Sequence, residues 1–172
     1  MKIHSLCIII AMVGNLSAQV LDQPRFLHER LSWGMTVSQM LVQCRGKDPK
    51  IVPIDDRNPF AKDVKDIIAF SYTDVLESEK IGISIMFNTK DSTLDSFSVI
   101  YIGIDSVNHE LLPDVEQRQK RLLKVLTSHF PGTPNERSIP FMGTVFTWKL
   151  PHVTVTAMNT SKSLVIIYRR PQ

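Results

Sequence analysis

Only two cysteines occur in the 172 residues, and one of them, Cys7, lies in a segment that reads as a removable leader. Cys44 is then the sole thiol of the remaining chain, which excludes an intramolecular disulfide framework. Other absences narrow the chemistry. There is no Cys-x-x-Cys pair, no Gly-x-Ser-x-Gly elbow, no His-Glu-x-x-His helix and no glycine-lysine phosphate loop, so no motif carries catalysis, metal binding or nucleotide binding by itself. Neither charge sign dominates: 20 Lys+Arg stand against 17 Asp+Glu, a net +3, and the charges are mixed along the chain. That balance is too weak to imply a nucleic-acid footprint. No apolar run is long enough to span a bilayer.

What is present begins with residues 1–18. Lys2 supplies a positive end, Leu6 to Val13 a short uncharged apolar run, Gly14-Asn15 a break, and Leu16-Ser17-Ala18 a small-residue cleavage site. These are the parts of a secretory signal peptide, and the competing reading, a buried N-terminal helix or strand, explains neither the basic start nor the small-residue end. The expectation is an exported, periplasmic or secreted product starting at Gln19, with 19–172 forming a single domain. Cys7 has no apolar region before it, so the leader does not fit a lipoprotein.

Thr36-Val37-Ser38-Gln39 has capping-box spacing, with Met35 and Met40 at the flanking staple positions and Gly46 as a left-handed stop, predicting a helix over about 37–45. From 46 to 63, Pro49, Pro53 and Pro59 predict an irregular connection with at most a brief edge strand. Its Asp55-Asp56 pair lacks the further spaced oxygen ligands of a calcium loop and reads as a solvated turn. Period-two alternation then predicts strands around Ile68-Phe70-Tyr72, Ile81-Ile83-Ile85-Phe87 and Leu94–Ile104. In the last, Phe97, Val99 and Tyr101 share one face and Ile100, Ile102 and Ile104 the other, as suits a central strand.

A longer helix is predicted from about Pro113 to Phe130, ended by Pro131-Gly132. Val115, Leu122, Leu123, Val125, Leu126 and Phe130 fall within one arc, while Lys120 and Lys124 lie opposite. The cluster Arg118, Lys120, Arg121, Lys124 reads as the solvated face. Three more strands are predicted at 143–150 (Phe146 and Trp148 on one face), 153–158 and 164–169 (Leu164, Ile166 and Tyr168 on one face). The expected fold is α+β: two helix-plus-three-strand units sharing one antiparallel sheet, with both helices packed on one face. In that arrangement Val115, Leu122 and Leu126 cover a core containing Ile83, Ile85, Ile100, Ile102 and Ile166.

The stretch Trp33-Gly-Met-Thr-Val-Ser-Gln-Met40 resembles the Gly-Met-Thr-x-x-Gln-Val segment that opens the first helix of the small SmpA/OmlA-type lipoproteins of outer-membrane β-barrel assembly. Met40 stands where those proteins carry Val, and the Gly-x-Pro helix exit and lipidated cysteine are missing here, so anchoring does not carry over. The tandem helix-plus-sheet order is similar in architecture to the β-lactamase-inhibitor proteins, and the C-terminal half to uncharacterised exported bacterial proteins, which bring no function with them.

Function is open between classes. An enzyme would have to use Cys44 with a histidine base from His28, His109, His129 or His152, yet a thiol at a helix end meets the unfavourable end of the dipole. No two of those histidines fall at metal-ligand spacing, so no metal or cofactor is expected. A non-catalytic binding module would present the sheet face that the helices leave open, with Phe97, Tyr101, Trp148 and Tyr168 as candidate ligand-binding residues and an envelope protein or small ligand as partner. A structural periplasmic protein without a dedicated ligand is the third reading. Exposure of the four aromatics separates the binding reading from the last.

Overall fold

The computed structural model describes residues 31–44, 46–52, 67–128, 130–140 and 143–170. The proposed leader, Asp55-Asp56, His28 and His129 lie outside them. The elements are helix α1 (Val37–Gln43), strands β1 (Lys50–Val52), β2 (Ile67–Leu76), β3 (Glu79–Asn88) and β4 (Leu94–Ile102), helix α2 (Val115–Thr127), and strands β5 (Asn135–Ile139), β6 (Gly143–Lys149), β7 (Thr154–Asn159) and β8 (Ser163–Arg169). All eight strands form one antiparallel sheet in the order β1-β2-β3-β4-β8-β7-β6-β5. Among the described residues, two helices with an open antiparallel sheet match the expected α+β class. Each helix is followed by four strands rather than three. The strand missed by sequence reasoning is β5, whose Asn-Glu-Arg-Ser-Ile is polar and almost wholly exposed; an edge strand has no face that burial forces into alternation.

The capping box at α1 forms as its spacing requires. The Thr36 amide donates to Gln39 Oε1 at 2.8 Å and the Gln39 amide to Thr36 Oγ1 at 3.4 Å. Met35 and Met40, the staple pair, are both buried, and the Leu94 amide donates to the Met35 carbonyl at 3.0 Å. The helix entry is thereby pinned to the start of β4. The stop is Gly46, at φ +83°.

α2 is shorter than its pattern, ending at Thr127, but buries the expected stripe of Val115, Leu122 and Leu126, with Gln119 in line. Val115 closes over Gly103, where a Cβ would stand 2.5 Å from Val115 Cγ2; only glycine lets the helix start this close to the end of β4. Leu122 and Leu126 join Ile83 and Ile85 of β3, Phe97 and Val99 of β4, Val155 and Ala157 of β7, and Ile166 and Tyr168 of β8 in one core, to which Met40 and Cys44 also belong. Both helices therefore share one side of the sheet.

Ile100 and Ile102 do not belong to that core. Strand alternation puts them on the other side, and Ile102 is 57% exposed. An isoleucine in a central strand is not a core marker by itself, because period two sends every second one to the opposite face.

Candidate functional site: the helix-free sheet face

The four candidate aromatics are brought together, but inside. Phe97, Tyr101, Trp148 and Tyr168 are 1%, 2%, 8% and 0% exposed. Phe97 stacks on Tyr168 with centroids 4.3 Å apart and planes 10° from parallel, and Phe130 meets Tyr168 and Trp148 at 6.2 and 5.5 Å. These rings lie between helices and sheet, and the exposure that a ligand-binding role asks of them is missing. Burial raises the Tyr168 phenol well above its ordinary pKa.

Cys44 is buried next to Tyr72. Burial pushes its thiol pKa up, opposed by hydrogen bonding to Tyr72 and the charge of Lys47, and neither described candidate base, His109 or His152, is among these influences. A protonated buried thiol is a poor nucleophile. Cys44→Ala should cost about 1 kcal/mol or somewhat more by lost volume, and the native protein should react with a thiol reagent at neutral pH far more slowly than the denatured chain.

The described residues hold no group of three or more metal-ligating side chains and no helix long and apolar enough to cross a membrane.

What the core leaves over is the other side of the sheet, on which no described helix lies. Its composition follows from register. One cross-strand row runs from Lys50 through Ser71, Ser84 and Ser98, crosses Ile167, and continues through Thr156 and Thr147. Beside it, Gly82, Ile100, Val165, Met158 and Val145 form an apolar row that ends on Arg137 of β5. On the other flank Ser96 neighbours Arg169, and Thr154 neighbours both Arg169 and Lys149. The centre of the face is thus hydroxyl and aliphatic, and no aromatic side chain of the described strands projects from it.

Two hollows among the described residues open on this face. One, of about 690 Å³, is bounded by Thr73, Lys80, Gly82, Ile100, Ile102 and the Ile104–Leu112 loop, with Glu79 and Tyr101 at its margin; the other, of about 510 Å³, by Lys50, Ser71, Thr73, Gly82, Ser84 and the Lys47-Asp48 turn. Thr73, Gly82 and Ile100 border both. Gly82 supplies no side chain, so the two hollows meet over it, and an added Cβ would find only ordinary contacts at 3.8 and 3.9 Å from Ile100. The wall formed by the loop is well ordered by its own hydrogen bonds: Asp105 Oδ1 accepts from the Val107 and Asn108 amides at 2.7 and 3.1 Å. Those donors hold the Asp105 carboxyl below its usual pKa. Val107 at the tip is 87% exposed.

A second polar feature lies on the helix side and escaped the sequence reading. Glu79, 5% exposed, accepts from Arg118 Nη1 at 2.9 and 3.1 Å and from Arg121 Nη2 at 2.8 Å. Two members of the supposed solvated cluster on α2 therefore clamp the first residue of β3, whereas Lys120 does face solvent, paired with Glu116 at 2.7 Å. Glu79→Ala should cost about 1–3 kcal/mol, since the freed arginines, at the edge of the core, can turn to water. The Arg118→Ala, Arg121→Ala double variant should be the less stable of the two by thermal denaturation, because it strands a buried carboxylate with no partner.

Comparison with known proteins adds no relative: no family model, curated protein or solved structure matches the chain.

Proposed function

We propose that this protein is an exported, non-catalytic binding module that receives its partner on the helix-free face of the sheet. The observation that carries the reading is the split between the two faces. Every aromatic side chain of the strands is gathered under the helices together with the core aliphatics of β3, β4, β7 and β8, while the opposite face keeps an aliphatic row and two hollows that meet over Gly82. A continuous face with apolar centre and polar surroundings has the composition of a recognition surface. Export rests on residues 1–18, and intact-mass measurement of the protein recovered outside the cytoplasm should find a chain beginning at Gln19; a product retaining Met1 overturns it.

The binding reading is tested by placing a photo-crosslinking side chain at Ile100, between the hollows, and at Lys124, on the outer surface of α2. Irradiation in an extract of the native cell should give adducts from position 100 and none from position 124. Equal labelling at both positions, or labelling at 124 alone, overturns the reading.

A further inference from the structure

The alternating strand positions on this face carry charge of one sign, while Asp48 and Asp105 sit in the turn and loop that wall its hollows. Register and alternation place five basic residues there, Lys50, Lys80, Arg137, Lys149 and Arg169, and no acidic residue of the regular strand positions shares the face; Asp95 sits at the β-bulge opposite Met86 and Phe87, outside the alternation. All five are exposed, and none is in an ion pair among the described residues. The carboxylates of the paired strands, Asp74, Glu79 and Glu136, point to the other side. The whole chain is only +3, so the segregation is local and the remainder of the molecule is net acidic.

Position matters as much as sign. Lys50 and Arg137 stand on β1 and β5, the two opposite edge strands of the sheet, roughly 30–35 Å apart at about 4.8 Å per strand. Lys149 and Arg169 lie toward one end of the strands and Lys80 toward the other. The basic groups surround a neutral centre of serine, threonine and aliphatic side chains. We infer that this face docks a protein whose contact patch is apolar at its centre and ringed by carboxylates. This rests on the binding reading above and adds the chemistry of the partner.

Three other occupants fit less well. A second copy would set basic rim against basic rim, and like charges across an interface oppose association. Single-stranded nucleic acid binds sheet faces through stacking aromatics, and every aromatic ring of the strands here is turned inward or away from this face. An anionic membrane surface is met by apolar and aromatic side chains projecting among basic ones, whereas no aromatic of the described strands projects here and the exposed Ile102 and Val107 stand at the Lys80 end, away from Lys149 and Arg169. An apolar centre inside a polar, charged rim is the anatomy of a protein interface, which covers about 800 Å² per partner.

The test uses the full mature chain, with poly-L-glutamate as the acidic polypeptide probe, titrated at low and physiological salt. Lys149→Glu with Arg169→Glu should weaken binding at least about tenfold, and Lys50→Gln with Arg137→Gln, a milder pair on separate edges, about threefold. Lys120→Glu with Lys124→Glu, an equal charge change on α2, should alter it less than about twofold. Equal losses from the face and helix reversals mean that net charge alone is read and overturn the inference, as does tighter, face-dependent binding to phosphatidylglycerol vesicles or to a single-stranded oligonucleotide. Should crosslinks from Ile100 persist while poly-L-glutamate binding ignores the face reversals, the acidic partner falls and the binding face stands; should those crosslinks be absent, both fall.

Discussion

Leu122→Ala is expected to destabilise the protein by roughly 2–5 kcal/mol in denaturant titration, whereas Lys124→Ala, two residues on, should change stability by less than about 0.5 kcal/mol. Leu122 is 0% exposed and sits in the core that joins α2 to the strands. Truncation there removes buried methyl groups and leaves a cavity whose walls are strand side chains held by their own ladders, so collapse is limited. Lys124 reaches into solvent and no ion pair holds it among the described residues. A similar cost for the two substitutions would mean that α2 does not cover the sheet, and the distinction between a covered and an open face would go with it.

How much of this was legible beforehand depends on whether the decisive neighbour is near in sequence. Thr36 and Gln39 are three residues apart, and their reciprocal cap is readable from the chain alone. The faces of β3, β4 and β8 follow from alternation, which a buried side enforces. Glu79, in contrast, finds Arg118 and Arg121 at separations of 39 and 42 residues, and nothing local distinguishes those arginines from Lys120 and Lys124 on the same helix. Residue type misled in two further places. Ile100 and Ile102 resemble core residues, and Phe97, Tyr101, Trp148 and Tyr168 resemble contact aromatics; register settles both, turning the isoleucines out and the rings in.

The basic rim could not be read from the sequence for the same reason. Lys50, Lys80, Arg137, Lys149 and Arg169 belong to five different strands, and alternation sends the strand carboxylates Asp74, Glu79 and Glu136 to the other side. Mixed charge along the sequence became segregated charge on a surface only through strand order and register. The candidate face is therefore a property of the topology, and anything that shifts register in its outer strands should disperse it.

Gly143 is where such a shift is most easily provoked, and Gly143→Ala is expected to cost roughly 2–5 kcal/mol, several times the effect of Gly132→Ala. Both glycines have positive φ, +93° and +77°, a region where an L side chain is strained by about 1–2 kcal/mol. They differ in surroundings. A Cβ at Gly132 meets nothing within 4 Å, whereas at Gly143 it would overlap the backbone carbonyl oxygen of Asn159, with the Asn159 carbonyl carbon at 2.9 Å and Thr160 Cα at 3.0 Å. Main-chain atoms in the β6–β7 ladder cannot rotate aside as a side chain would, so the end of β6 must move away from β7. Val145, Thr147 and Lys149 ride on β6, and Arg137 reaches the face only through its pairing with Val145. Gly143→Ala should accordingly lower amide-exchange protection first in β5 and β6 while β2, β3 and β4 stay protected, and weaken poly-L-glutamate binding even at temperatures where the variant is folded. A variant as stable as Gly132→Ala, with β5 and β6 fully protected, would show that the close approach of Gly143 to Asn159 does not hold this half of the sheet in register.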